Sequence, residues 1–123
     1  MATPVRNGTL GNDIFYGLEG LKITNGLGGL DTLNFVKEAG KMGVNVNLDK
    51  LVAFDSTGFR ATINGITDVV GSFLSDRITG NKLDNSIWGE AGDDNIQGLG
   101  GNDRLYGGTG NDRLDGGDRK SVV

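Results

Sequence analysis

A nine-residue period constrains this chain more than any other feature, because it admits only folds built from equal, stacked steps. From Gly89 the sequence reads GEAGDDNIQ, GLGGNDRLY and GGTGNDRLD, followed by GGDRKSVV. Gly89, Gly98, Gly107 and Gly116 hold the first place of successive units, and Gly92, Gly101 and Gly110 the fourth. Asp94, Asp103 and Asp112 hold the sixth place, and Ile96, Leu105 and Leu114 the eighth. The frame runs backwards through GSFLSDRIT and GNKLDNSIW, with Asp76 and Asn85 at the sixth place and Leu74 and Leu83 replacing the second glycine. It reappears at the N-terminus, where Gly8, Gly17 and Gly26 are nine apart, and Asp13 and Asp31 take the aspartate place. A flexible glycine linker has no reason to keep such a register.

The unit divides into a glycine-rich turn of six residues and a triplet whose central residue is large and apolar. Such a triplet is a short strand with its middle side chain inward and its neighbours in solvent. The apolar place reads Phe15, Thr24, Leu33, Met42, Leu51, Arg60, Val69, Ile78, Ile87, Ile96, Leu105, Leu114 and Val123, broken only by Thr24 and Arg60. The expected fold is all-β: a right-handed parallel β-roll, or β-helix solenoid, with a less regular middle section. One domain over 1–123 is expected: coils over 1–34, irregular strands and a loop over 35–70, repeats over 71–118 and a tail over 119–123. Alternation in Val44-Asn45-Val46-Asn47-Leu48 predicts a half-buried strand, and Asp55-Ser56-Thr57-Gly58 a loop. Arg60 is a poor inward residue, so the register should slip near it. Leu74 and Leu83 are expected to turn inward and close their turns by packing, leaving few or no ions before Gly89.

Each nonapeptide is half a coil, so residues eighteen apart should stack: Asp76 on Asp94, Asp94 on Asp112, and Asn85 on Asp103. A cation between stacked turns would meet backbone carbonyls and carboxylates, the all-oxygen shell that Ca²⁺ prefers and strictly octahedral Mg²⁺ does not. The candidate carboxylates are Asp94, Asp103 and Asp112, with Asp76, Asp13 and Asp31 as further candidates. The backbone candidates are Gly89, Glu90 and Gly92; Gly98, Leu99 and Gly101; and Gly107, Gly108 and Gly110. The best-formed site is expected between turns 89–94 and 107–112. A second should involve turn 98–103, weakened by Leu83 and Asn85 above it and flanked by Asp118 and Ser121 below. With neither cysteine nor histidine, thiolate sites, the usual zinc chemistry and Ser–His–Asp or Cys–His catalysis are excluded. A net charge of −4 argues against nucleic acid. Aspartates stacked in this way repel unless neutralised, so calcium binding and folding should be coupled.

The unit G-G-x-G-x-D-x-U-x resembles the RTX, or hemolysin-type calcium-binding, repeat of Gram-negative bacterial proteins, most closely over 71–118. The resemblance implies a calcium-binding β-roll, secreted by a type I system and attached to a catalytic, toxin or adhesin domain. Met1-Ala2-Thr3-Pro4 lacks the basic and apolar regions of a signal peptide, so export information is expected elsewhere. No apolar run is long enough to span a membrane.

The chain is also similar to the R-modules of bacterial alginate epimerases, which implies an acidic polysaccharide as a second partner. Trp88 and Tyr106 should stack on adjacent rungs beside Arg104, and Arg77 and Arg113 should share a face on either side of Asn95. Aromatic rings with arginines suit a sugar acid, although such a pair also simply stabilises neighbouring strands. No nucleophile and base stand out, so an enzyme is not expected.

Overall fold

The computed structural model describes residues 5–18, 23–38 and 40–117. Among them all regular structure is β: β1 (Val5–Asn7), β2 (Ile14–Tyr16), β3 (Ile23–Asn25), β4 (Asp31–Asn34), β5 (Asn45–Asn47), β6 (Val52–Phe54) and β7 (Arg60–Asn64). These are followed by β8 (Ile66–Val70), β9 (Arg77–Thr79), β10 (Ser86–Trp88), β11 (Asn95–Gln97), β12 (Arg104–Tyr106) and β13 (Arg113–Asp115). Two sheets form, one in the order β1-β3-β7-β6-β5-β9-β11-β13 and the other β12-β10-β8-β4-β2.

The expected stacking holds through the repeats. Strands β9, β11 and β13 pair in parallel through Ile78, Ile96 and Leu114, and β8, β10 and β12 through Val69, Ile87 and Leu105. Ile78, Ile87, Ile96, Leu105 and Val69 are all fully buried between the sheets. Each such side chain stabilises the fold by about 1.5–3 kcal/mol, and this stack forms the core that presents the turns at its edges. Leu114 is only partly buried.

The middle departs from the frame. Instead of two more half-coils, β5, β6 and β7 form an antiparallel meander inserted into the larger sheet, where β7 joins β3 and β5 joins β9 in parallel. The larger sheet is therefore mixed. Met42 and Leu51, expected inward, are 54% and 45% exposed. Val46, Ala53, Ala61 and Ile63 fill the core instead. Asn47 starts the reversal by accepting the Lys50 N–H at 2.9 Å, and Leu51 completes it with a left-handed φ of 61°. Arg60 is exposed at the start of β7, so the register slips where the sequence suggested. Asp55 closes the loop before it by accepting the Thr57 and Phe59 N–H groups. Gly65 alone separates β7 from β8.

An amide ladder runs along the outside of the larger sheet. Asn64 Nδ2 donates to Asn25 Oδ1 at 2.7 Å, and Asn25 Nδ2 to Asn7 Oδ1 at 2.8 Å.

Candidate metal centre

Two kinds of turn occur under one sequence pattern, and the second place of the unit separates them. In turns 26–31, 89–94, 98–103 and 107–112 this place is left-handed, with φ of 77° at Leu27, 75° at Glu90, 68° at Leu99 and 82° at Gly108. Their fourth-place glycines, Gly29, Gly92, Gly101 and Gly110, are left-handed as well. For a non-glycine residue that conformation costs about 1–2 kcal/mol, so Leu27, Glu90 and Leu99 are held there by their surroundings. Thr9, Ser72 and Asn81, at the same place in turns 8–13, 71–76 and 80–85, have ordinary φ. These three bond back to the sixth-place residue of their own turn. The Thr9 N–H donates to Asp13 Oδ2 at 2.7 Å, Ser72 Oγ to Asp76 Oδ1 at 2.6 Å, and the Asn81 N–H to Asn85 Oδ1 at 3.0 Å.

The sixth-place carboxylates are stacked as expected. Asp94 Oδ1 accepts the Asp76 N–H at 2.8 Å, Asp112 Oδ1 the Asp94 N–H at 2.9 Å, and Asp103 Oδ1 the Asn85 N–H at 3.0 Å. In the N-terminal coils Asp31 Oδ1 accepts the Asp13 N–H at 2.8 Å. Their second oxygens face inward. Asp31, Asp76 and Asp94 are at most 3% exposed, and the Oδ2 of each has no hydrogen-bond partner among the described residues. Leaving a buried carboxylate oxygen unmatched costs about 1–3 kcal/mol or more, a cost that a proton or a cation at these atoms would remove.

The first-place glycines show where that charge would sit. A Cβ on Gly89 would strike Asp94 Oδ2 and stand 2.8 Å from the Gly107 carbonyl oxygen. One on Gly71 would strike Asp76 Oδ2 and stand 2.9 Å from the Gly89 oxygen. Carboxylate and carbonyl oxygens from successive turns thus converge on one cradle, kept open because glycine has no side chain. No three acidic side chains meet among the described residues. A cation in these turns would meet backbone oxygens as well as carboxylates, a hard, all-oxygen shell of the kind Ca²⁺ takes.

Burial pushes the Asp94 carboxyl up to about 7, assisted by the neighbouring Asp76 and Asp112 carboxylates and opposed by the backbone hydrogen bond from Asp76. Burial raises Asp76 too, against hydrogen bonds from Ser72 and from the Val44 N–H.

Several features went unread in the sequence. The fifth place carries an outer ladder in which Asn12, Ser75, Asp84 and Asp93 accept the N–H of residues 30, 93, 102 and 111. The run of short oxygen-bearing side chains at that place was the available signal. Asn85 is an amide for a reason as well: its Nδ2 donates to the Thr67 carbonyl at 2.9 Å, where an aspartate would meet an acceptor. Leu83, expected to pack inward, is 53% exposed, and Leu74 is only half-buried. The fourth-place side chain points away from the cradle, so hydrogen bonds and not packing close these turns. Asp118, Ser121 and the 119–123 tail lie outside the described residues, and so does Val123.

On the outer face of the smaller sheet Trp88 and Tyr106 pair across β10 and β12, their rings 5.5 Å apart and 9° from parallel. Arg104 is exposed on the same strand as Tyr106. Arg77 and Arg113 flank Asn95 on the larger sheet, as expected.

The turns and sheets define an all-β, cation-binding repeat protein. A family model for the RTX calcium-binding nonapeptide repeat matches residues 70–105 and 88–118, in four copies. The C-terminal block of this chain is thus similar to RTX repeats, which bind Ca²⁺. No curated protein matches the chain. Among the described residues no helix is long and apolar enough to cross a membrane.

Proposed function

We propose that this chain is a right-handed β-roll, parallel through its repeat coils and interrupted by the antiparallel meander, that folds when calcium fills its C-terminal turns. It is a module of a secreted or cell-surface bacterial protein, exported by a type I system and serving an attached catalytic, toxin or adhesin domain. It has no catalytic activity of its own. The reading is carried by the buried, donorless Oδ2 of Asp94, which converges with the Gly107 carbonyl of the following turn. The ligands are Asp94, Asp103 and Asp112 with the backbone oxygens of turns 89–92, 98–101 and 107–110. Stacking of Asp94 between two carboxylates supports coupling of binding to folding, since the metal-free turns repel. Circular dichroism in EDTA and then in excess Ca²⁺ tests it. Strand signal should appear with calcium, and an unchanged spectrum would overturn the coupling.

A second reading adds an acidic polysaccharide, held by Tyr106, Trp88 and Arg104 or by Arg77 and Arg113. A depression of about 300 Å³ lies beside Trp88 and Tyr106, but it is lined by Glu90 and by none of these arginines. Also against this reading, the two rings turn their faces to each other, which hides one face of each from a sugar. Titration with alginate oligomers, read by Trp88 fluorescence and amide shifts, separates the two; no change at millimolar oligomer removes the polysaccharide.

A further inference from the structure

Asp31 carries the mark of the repeat turns far from the repeats. Its side chain is fully buried, its Oδ1 is used by the Asp13 N–H, and its Oδ2 has no partner among the described residues. The turn before it repeats the backbone of turns 89–94 and 98–103, with Leu27 and Gly29 left-handed at φ 77° and 78°. What lies beneath is different. In the repeats the next turn is another glycine turn, whereas under Asp31 the chain passes directly from β7 to β8 through Gly65. A Cβ on Gly26 would strike Asp31 Oδ2 and stand 2.6 Å from the Gly65 carbonyl oxygen. The ladder also shifts here: Asp31 pairs with Ile66 and Thr32 with Asp68, which leaves Thr67 bulged. Asp13, one coil above, is closed by Thr9, whose N–H and hydroxyl both donate to it.

We propose that Asp31 Oδ2 and the Gly65 carbonyl hold a further Ca²⁺ between one glycine turn and the β7–β8 link. This site lies outside the repeats matched at 70–118. It rests on the reading of donorless aspartate oxygens as cation ligands, and it pairs Asp31 with Gly65 in place of Asp13. Calcium fits a cradle of unlike halves because its shell is irregular and flexible, which Mg²⁺ does not allow. The ion ties the N-terminal coils to the middle meander.

The test counts calcium per chain by native mass spectrometry at saturating Ca²⁺, for the unmodified chain, Asp31→Asn and Asp94→Asn. Asp31→Asn should lose one ion while keeping those of the repeat block, and Asp94→Asn should lose ions that Asp31→Asn retains. Because Asp31→Asn could unfold the N-terminal coils, the unmodified chain is also loaded with Gd³⁺. Amide signals of residues 27–31 and 65 should then broaden alongside those of turns 89–94. An unchanged count in Asp31→Asn, or sharp signals at 27–31 beside broadened ones at 89–94, overturns this site and leaves the repeat sites standing. A chain that binds no Ca²⁺ at all overturns both.

Discussion

Turns 8–13 and 89–94 share one spelling, glycine at the first and fourth places and aspartate at the sixth, yet they close in opposite ways. In 8–13 the Thr9 N–H and hydroxyl donate to Asp13, and Gly11 needs no special backbone angle. In 89–94 the residue at the second place is left-handed, no donor reaches Asp94 Oδ2, and Gly92 stands at φ 100°. One turn satisfies its carboxylate with its own hydrogens, and the other leaves it for a cation. Three positions differ, Thr9/Glu90, Leu10/Ala91 and Asn12/Asp93, and Thr9 at the second place carries the hydroxyl donor to Asp13. A turn closed by its own hydrogens can thus stand in the same frame as one that leaves its carboxylate open. Turn 71–76 lies under Val44, and turn 80–85 under Thr67.

The largest expected effect sets two fourth-place glycines against each other. Gly92→Ala would place a Cβ 2.6 Å from the Leu74 carbonyl carbon at a left-handed φ, whereas Gly11→Ala would meet nothing nearer than Thr9 Oγ1 at 3.6 Å. The first should cost about 3 kcal/mol and the second less than about 0.5 kcal/mol, read as denaturation midpoints in saturating Ca²⁺. Equal costs would erase the distinction between the two turns.

Next comes pH. A carboxyl raised in the folded state favours the calcium-free fold at low pH, and that contribution is lost as pH climbs from the unfolded value of 3.8 to about 7. Calcium displaces that proton, so affinity should rise over the same window. Chelated protein should accordingly show more strand signal at pH 4.5 than at pH 7.5, while calorimetric Ca²⁺ affinity follows the reverse order. A flat profile in both would remove Asp94 from the binding set.

The smallest effect concerns the second place. Glu90→Gly relieves a left-handed residue and should stabilise by about 1 kcal/mol, whereas Thr9→Ala deletes a hydroxyl donor and should destabilise by about 1 kcal/mol. Thermal midpoints with calcium present decide the signs, and a shared sign would contradict the two modes of closure.

Much of this was legible because the eighth place repeats without error through the C-terminal block: Ile78, Ile87, Ile96 and Leu105 are inward in order. The stacking of Asp76, Asp94 and Asp112 followed from the same count. The middle was misread because a count of nine survives any insertion that restores it. Leu33 pairs with Val69 in register even though the path between them makes a meander. Met42 and Leu51 kept the count and lost the core. The two closures were illegible for another reason: they depend on the sign of φ at Thr9 or Glu90, which spacing does not encode.

The ladder of Asn7, Asn25 and Asn64 bears on how the protein ages. Each is followed by glycine, the neighbour that most readily lets a backbone nitrogen attack the side-chain amide and release ammonia. Here the nitrogens of Gly8 and Gly26 are already donated to the Asn25 and Asn64 carbonyls, and the amides are tied to one another. Both reactants of the cyclisation are held apart at Asn7 and Asn25 while the rungs are paired. Chemical ageing at these two sites should run at the rate at which the N-terminal coils open, which makes the mass of stored protein a slow clock of local unfolding.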